Sequence, residues 1–88
     1  MNKFDEAVSR IKILECPTGD LESRVAGIFA DYGVADISKV KVRRKENLDS
    51  AQAQAYQVDI AGEGQSVVVL AESGYDDYVA KVVDVYNR

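Results

Sequence analysis

The spacing of apolar residues changes at Gly33, and this change constrains the fold more than any other feature of the sequence. Before Gly33, apolar residues recur at helical intervals and form one face, made of Leu21, Val25, Ile28, Phe29 and Tyr32. From residue 38 to residue 43, apolar and charged residues alternate instead, which is the period of a strand with one buried face. The sequence therefore predicts a helix from about Asp20 to Tyr32, ended by Gly33, and then a strand.

Two more strands are predicted in the second half of the chain. Residues 55–61 alternate between apolar and polar, and the turn residues 62–64 separate them from residues 65–72, which are apolar on both faces. A strand that is apolar on both faces is expected to be covered on both of them or to be central in its sheet. The hairpin links predict antiparallel pairing throughout. The polar residues 46–54 are predicted to form a mobile loop.

The last segment is predicted to be a helix from about Tyr75 to Asn87. Ser73 followed by Asp76 matches a helix-capping pattern. The apolar face of this helix would consist of Tyr75, Val79, Val82, Val83 and Tyr86. The four valines of the segment favour a strand on propensity alone.

The first sixteen residues allow two interpretations. We favour a helical turn or two within residues 1–9 and an edge strand over residues 10–16; the alternative is a continuous helix over residues 3–15. The whole chain, residues 1–88, is thus predicted to be a single α+β domain of order (α)-β-α-β-β-β-α, with two helices on one face of a mainly antiparallel sheet, or alternatively α-α-β-β-β-α. The predicted core comprises Leu14, Val25, Ile28, Phe29, Val40, Val42, Val58, Ile60, Val69, Val79 and Val83.

The composition excludes much enzyme chemistry. The chain has no His and one Cys, so it cannot build a catalytic triad with His, a His-ligated metal site or an internal disulfide. Cys16 has no neighbouring base and is expected to be a plain thiol. We predict no enzymatic activity, no cofactor and no bound metal. No apolar run approaches the roughly 18 to 20 residues of a membrane span, and no signal pattern opens the chain, so we expect a cytoplasmic protein.

Basic residues are concentrated in one short segment. Five of the eleven lie between Ile37 and Lys45, where there is no acid, although the net charge of the chain is -4. These candidate partner-binding residues are Lys39, Lys41, Arg43, Arg44 and Lys45. They could grip phosphate or an acidic protein; equally, they could form a solvated sheet face paired with Asp59 and other acids, or an edge that resists aggregation. Tyr75 and Tyr78 could add a partner-contact patch, or they could serve ordinary packing.

The predicted order of elements is similar to that of the ribosome hibernation-promoting (protein Y-like) family, whose core is itself similar to the αβββα double-stranded-RNA-binding domain. Residues 69–83, with the sequence VLAESGYDDYVAKVV, resemble the last strand, turn and amphipathic helix of that family. The resemblance implies binding to ribosomal RNA through basic residues. Two features depart from it, because the predicted helix opens with Asp76 and Asp77 and lacks the Lys-Lys-x-x-Lys pattern. Five cations on one strand would support only modest RNA affinity.

Three functions follow from these observations. The one we favour is a small soluble, non-enzymatic interaction module that binds a macromolecular partner, most simply a protein. The second is a ribosome-associated or RNA-associated factor of the protein Y-like kind, which would use the basic strand over residues 39–45. The third is an acidic inhibitor of an enzyme that binds nucleic acid.

Overall fold

The computed structural model describes residues 2–62, 64–73 and 78–88. Two α-helices and five β-strands account for most of these residues, joined by short 3-10 turns. The helices are α1 (Lys3–Ile11) and α2 (Leu21–Asp31), and the strands are β1 (Glu15–Pro17), β2 (Val40–Arg44), β3 (Gln54–Ile60), β4 (Gln65–Ser73) and β5 (Val79–Asn87). No helix among them has the length and apolar content needed to cross a bilayer.

The five strands form one sheet in the order β1-β5-β4-β3-β2, and every neighbouring pair is antiparallel. The predicted meander over β2, β3 and β4 is confirmed. So is the central position of β4, whose consecutive residues Val67, Val68 and Val69 are all buried. Buried residues of both helices and of one sheet face form a single core, so both helices lie on one side of the sheet.

The helix α2 matches its prediction closely. It follows a 3-10 turn over Thr18–Asp20 and buries Leu21, Val25 and Phe29 against the sheet. Gly33 adopts a φ of 76°, the left-handed conformation that glycine tolerates best, and so ends the helix as expected.

The N-terminal segment follows the favoured interpretation with shifted boundaries. Asn2 caps α1 by accepting a hydrogen bond from the Asp5 N–H at 2.8 Å. The helix continues to Ile11, two residues past the predicted end, because Ala7 and Ile11 are buried in the core. The predicted edge strand is present, but it is limited to Glu15–Pro17.

The predicted C-terminal helix is wrong. Residues 79–87 form the strand β5, which lies between β1 and β4, so the observed order is α-β-α-β-β-β-β. β-branched residues lose side-chain freedom in a helix and fit a pleated sheet well, and the valines of this segment follow that preference. Residues 74–77, on which the predicted capping pattern and helix start fall, lie outside the described residues.

A β-bulge interrupts the side-chain alternation of β5. Leu70 pairs with Asp84 and Ala71 pairs with Val82, so Val83 is left without a partner and the alternation shifts there. The buried residues of β5 are therefore Ala80, Val82 and Val85. Of the helical face predicted for this segment, only Val82 is buried among the described residues.

The core prediction holds except in β5. Leu14, Val25, Phe29, Val40, Val58, Ile60 and Val69 are buried, and Ile28 and Val42 pack against them partly buried. Val79 and Val83 were predicted to be buried, but they are 39% and 47% exposed, because both lie on the opposite face of the sheet.

The connection between β2 and β3 contains regular structure. A 3-10 turn spans Glu46–Leu48, and the carboxylate of Asp49 accepts the Ala55 N–H at 2.7 Å. The same carboxylate accepts two hydrogen bonds from Arg44, at 2.7 and 2.8 Å. These contacts tie the connection to both strands. The mobility of residues 46–54 stays a prediction.

Candidate interaction surface

One face of the sheet lies away from both helices, and we call it the open face. None of its residues belongs to the core that the helices share with the sheet. The pairing register arranges its side chains in rows across the strands. One row contains Tyr86, Val68, Gln57 and Arg43, and the next contains Ser66, Asp59 and Lys41.

Apolar side chains on the open face are concentrated on β5. Val79, Val83 and Tyr86 are 39%, 47% and 39% exposed. Behind them, Val68 in β4 is fully buried between its register neighbours Tyr86 and Gln57. These side chains form a strip of exposed apolar area along β5, interrupted by the exposed residues Lys81 and Asp84, on a side of the sheet that neither helix covers.

Asp59 lies at the centre of a polar cluster on the part of the open face formed by β2, β3 and β4. One of its carboxylate oxygens accepts hydrogen bonds from the Ser66 hydroxyl and from the Gln57 amide, and the other accepts from Arg43 at 2.8 Å. The Arg88 guanidinium donates to the side-chain amide oxygen of Gln57. The hydrogen bond from Ser66, followed by those from Gln57 and Arg43, lowers the pKa of Asp59 to about 2.

This depressed pKa predicts a loss of stability in acid. Because the folded-state pKa lies below the ordinary value of 3.8, the stabilisation is complete above about pH 4 and is lost as the pH falls toward 2. The Asp59 side chain is 34% exposed, so solvent screening limits the contribution to about 1 kcal/mol. We expect Asp59→Asn to lower the free energy of unfolding by about that amount at pH 6, with the difference from the natural protein shrinking toward pH 2.

The Ser66→Ala variant provides the matched control. It leaves the Asp59 carboxyl in place but removes the hydroxyl donor that contributes most to the shift. An NMR titration of the Asp59 carboxyl carbon should then give a pKa closer to the ordinary value. An unchanged pKa in this variant would show that the hydroxyl does not hold the carboxylate.

The basic segment is divided between the two sides of the sheet. Lys41 and Arg43 lie on the open face, and Lys39 lies just before them at the end of a 3-10 turn. Arg43 forms an ion pair with Asp59 at 2.8 Å, as the alternative interpretation expected. Lys45 follows β2 and donates its N–H to the Ala55 carbonyl oxygen.

Arg44 lies on the helix side and is engaged within the domain. Its guanidinium pairs with the Asp49 carboxylate in a two-point contact and lies 5.6 Å from the ring centroid of Tyr56. The hydrogen bond with Asp49 raises the pKa of Arg44 and lowers that of Asp49. Arg44 therefore stabilises the β2–β3 connection and does not join Lys41 and Arg43 on the open face.

The two predicted tyrosines have different outcomes. Tyr75 lies outside the described residues. Tyr78 immediately precedes β5, is 75% exposed, and accepts the Thr18 N–H at its backbone carbonyl at 2.8 Å. The predicted patch formed by both tyrosines is therefore described only at Tyr78.

Two further observations concern Cys16 and the acidic residues. Cys16 is buried in the core, and burial raises the pKa of its thiol, so the reactive thiolate is disfavoured. Within residues 2–62, 64–73 and 78–88, no group of three or more His, Cys, Asp or Glu residues could hold a metal ion.

The β5 strip was not predicted from the sequence, and of the Asp59 cluster only the pairing with the basic strand was. The propensity of valine for strands was a signal for β5, but the bulge obscured the alternation. Ser66 and Arg43 lie 7 and 16 residues from Asp59 along the chain, so only the strand register brings them together.

Comparison of the chain with protein-family models, with curated proteins and with solved structures finds no match.

Proposed function

We propose that this chain is a non-enzymatic interaction module that binds a protein partner through the open face of its sheet. The observation that carries the proposal is the exposed strip of Val79, Val83 and Tyr86 on a side of the sheet that neither helix covers. Exposed apolar side chains gathered on one face among polar residues are characteristic of protein interaction sites, and Tyr is favoured at their centres.

The charged residues around the strip supply a means of orienting the partner. Lys81 lies between Glu15 and Glu72 in the register, and the Asp59 cluster lies at the far side. A polar rim of this kind fixes the position of a partner, while the apolar centre supplies most of the affinity. A cytoplasmic location is part of this proposal, because one buried free cysteine needs no oxidising compartment.

The experiment compares the immobilised natural domain with two variants in capture from a cell lysate. The face variant carries Val83→Ser and Tyr86→Ser. The control variant carries Ile13→Ser and Ile37→Ser, which also remove exposed apolar area, since these two residues are 74% and 59% exposed and lie outside the strands.

We expect a protein that the natural domain and the control variant both capture and that the face variant loses. Titration calorimetry with that purified protein should then show a loss of about 2 kcal/mol or more for the face variant. A partner that is retained by the face variant and lost by the control would contradict the proposal. So would the absence of any captured protein that depends on the face.

A second candidate is binding of single-stranded RNA. It is favoured by the row that places Tyr86 on the same face as Arg43, because aromatic stacking next to cations is how such strands are held. Arg43 is already paired with Asp59, and Glu72 and Asp84 share the face, so few cations remain for phosphate.

We therefore expect RNA to bind weakly, with a Kd above roughly 10 μM at physiological salt. Replacing Lys41 and Arg43 with Gln should reduce the dependence of log K on log salt by at most about two phosphate contacts, because Arg43 contributes one only where RNA displaces Asp59. Fluorescence anisotropy with a labelled single-stranded RNA measures both quantities. Nanomolar binding by the natural domain would place the ribosome-associated function first. The inhibitor hypothesis stays a prediction from the overall charge.

A further inference from the structure

The strand β2 is at an edge of the sheet and has a neighbouring strand on one side only. The Ala61 N–H donates to the Lys39 carbonyl, and the Lys45 N–H donates to the Ala55 carbonyl, both at 2.9 Å. Because hydrogen-bonding direction alternates along a strand, the odd-numbered residues of β2 face β3. The N–H and carbonyl of Val42 therefore point outward, to where a further strand would lie.

The opposite edge of the sheet is unsuited to strand addition. It is formed by β1, which has three residues and ends in Pro17. A strand this short offers few backbone partners, and proline has no N–H to donate. The edge of β2, with its five residues, is the longer and better template.

The positive charge along β2 determines which kind of strand could pair with its edge. Among the described residues, ion pairs are formed by Arg43 and Arg44, and none involves Lys39, Lys41 or Lys45. Two copies of this chain pairing through β2 would bring these cations against one another, and like charges on adjacent strands are destabilising. A strand with acidic side chains on the open-face side would instead form favourable cross-strand pairs.

We propose that the edge of β2 binds an extended acidic peptide segment of a partner protein as an added antiparallel strand. The residue opposite Val42 would place its apolar side chain beside Val42 on the helix side. Its two neighbours in sequence would place their carboxylates beside Lys41 and Arg43 on the open face. The segment is thus one in which acidic and apolar residues alternate. This goes beyond the open-face proposal, because it uses the backbone edge of β2 and not the apolar strip of β5.

The test uses a capped synthetic peptide of about nine residues that alternates Glu with Val or Thr, a typical strand length. Its matched control has the same composition, with the acids in consecutive pairs. Fluorescence anisotropy should show the alternating peptide binding at least about tenfold more tightly, because only it presents every carboxylate on one face. Amide resonances of Val42 and Arg44 should shift on binding.

N-methylated peptides test whether the backbone pairs. In an antiparallel addition, the apolar residues of the peptide lie opposite Val42 and the other even-numbered residues of β2, and they exchange the hydrogen bonds with β2. Methylating their nitrogens should abolish binding, and methylating the acidic residues should leave it within about twofold. Equal effects of the two methylation patterns would overturn the proposal.

Protein variants locate the site. Lys41→Gln with Lys45→Gln should weaken the alternating peptide about tenfold, whereas Lys3→Gln with Lys12→Gln, which remove the same charge from and beside α1, should not. Val83→Asp changes the open-face strip and should leave peptide binding unchanged, which separates the peptide proposal from the open-face proposal.

Equal affinity for the alternating peptide and for the control with paired acids would overturn the peptide proposal, because the lysines would then act to prevent strand pairing at this edge. Displacement of the peptide by a tighter-binding single-stranded RNA would overturn it as well.

Discussion

Replacing Phe29 with Ala is expected to lower the free energy of unfolding by about 3 to 5 kcal/mol. Phe29 is fully buried between α2 and the sheet, and its ring stacks on Phe4 of α1 with centroids 5.8 Å apart. The substitution would leave a cavity where both helices and the sheet meet. The loss is a large part of the 5 to 15 kcal/mol of total stability expected of a domain.

Urea unfolding followed by circular dichroism measures the loss. Tyr32→Ala is the matched control, because Tyr32 follows the same helix but is 37% exposed, and it should cost about 1 kcal/mol or less. A loss below about 1 kcal/mol for Phe29→Ala would place Phe29 outside the core.

Val85→Asp is expected to destabilise the protein by at least about 3 kcal/mol, whereas Val83→Asp should cost less than about 1 kcal/mol. Val85 is 5% exposed and faces the helices, so an aspartate there would be buried without a partner. Val83 is 47% exposed on the open face. The two sites are two residues apart and carry the same substitution, so the chemistry of the change is matched.

The helical interpretation of this segment predicts a different outcome. It places Val83 in the core, and aspartate at that position should then be the damaging change. Thermal unfolding of the two variants distinguishes the outcomes. A more damaging Val83→Asp would contradict the bulge and the position of β5.

The elements that sequence predicted well are those with an unbroken period. The apolar face of α2 repeats without interruption and ends at a glycine, and β3 alternates throughout. The consecutive valines of β4 correctly indicated a central strand, because neighbouring strands on both sides bury Val68 on the open face as well. Local rules suffice where no irregularity intervenes.

The helix prediction failed over residues 79–87, where strand pairing imposes a β-bulge. The bulge at Val83 depends on how β5 aligns with Leu70 and Ala71, which no local pattern in β5 reveals. The short strand β1 likewise exists because β5 pairs with it. The wrong element at β5 and the shifted bounds of β1 both arise from contacts between segments far apart in the chain.

The candidate site was predictable only in part. The cluster of cations over residues 39–45 was visible as composition, but its division between two faces follows from β2 being a strand. The pairing of Arg44 with Asp49 depends on the path of the β2–β3 connection, which composition does not fix. The apolar strip could not be predicted, because it exists only if residues 79–87 form a strand.

The two proposed surfaces depend on the position of β5 to different degrees. The open-face strip consists of β5 side chains, whereas the edge of β2 lies at the other side of the sheet. Failure to find an open-face partner would leave the peptide proposal standing. A helical C-terminal segment would remove the strip and uncover β4.

A nuclear Overhauser spectrum of the isotopically labelled protein, read together with its backbone chemical shifts, is the most direct test of the position of β5. We expect extended shifts over residues 79–87, with cross-strand contacts that join Val85 to Val69 and Ala80 to Cys16. Helical shifts over residues 79–87, with no contacts from that segment to β1 or β4, would contradict the fold and the open-face site built on it.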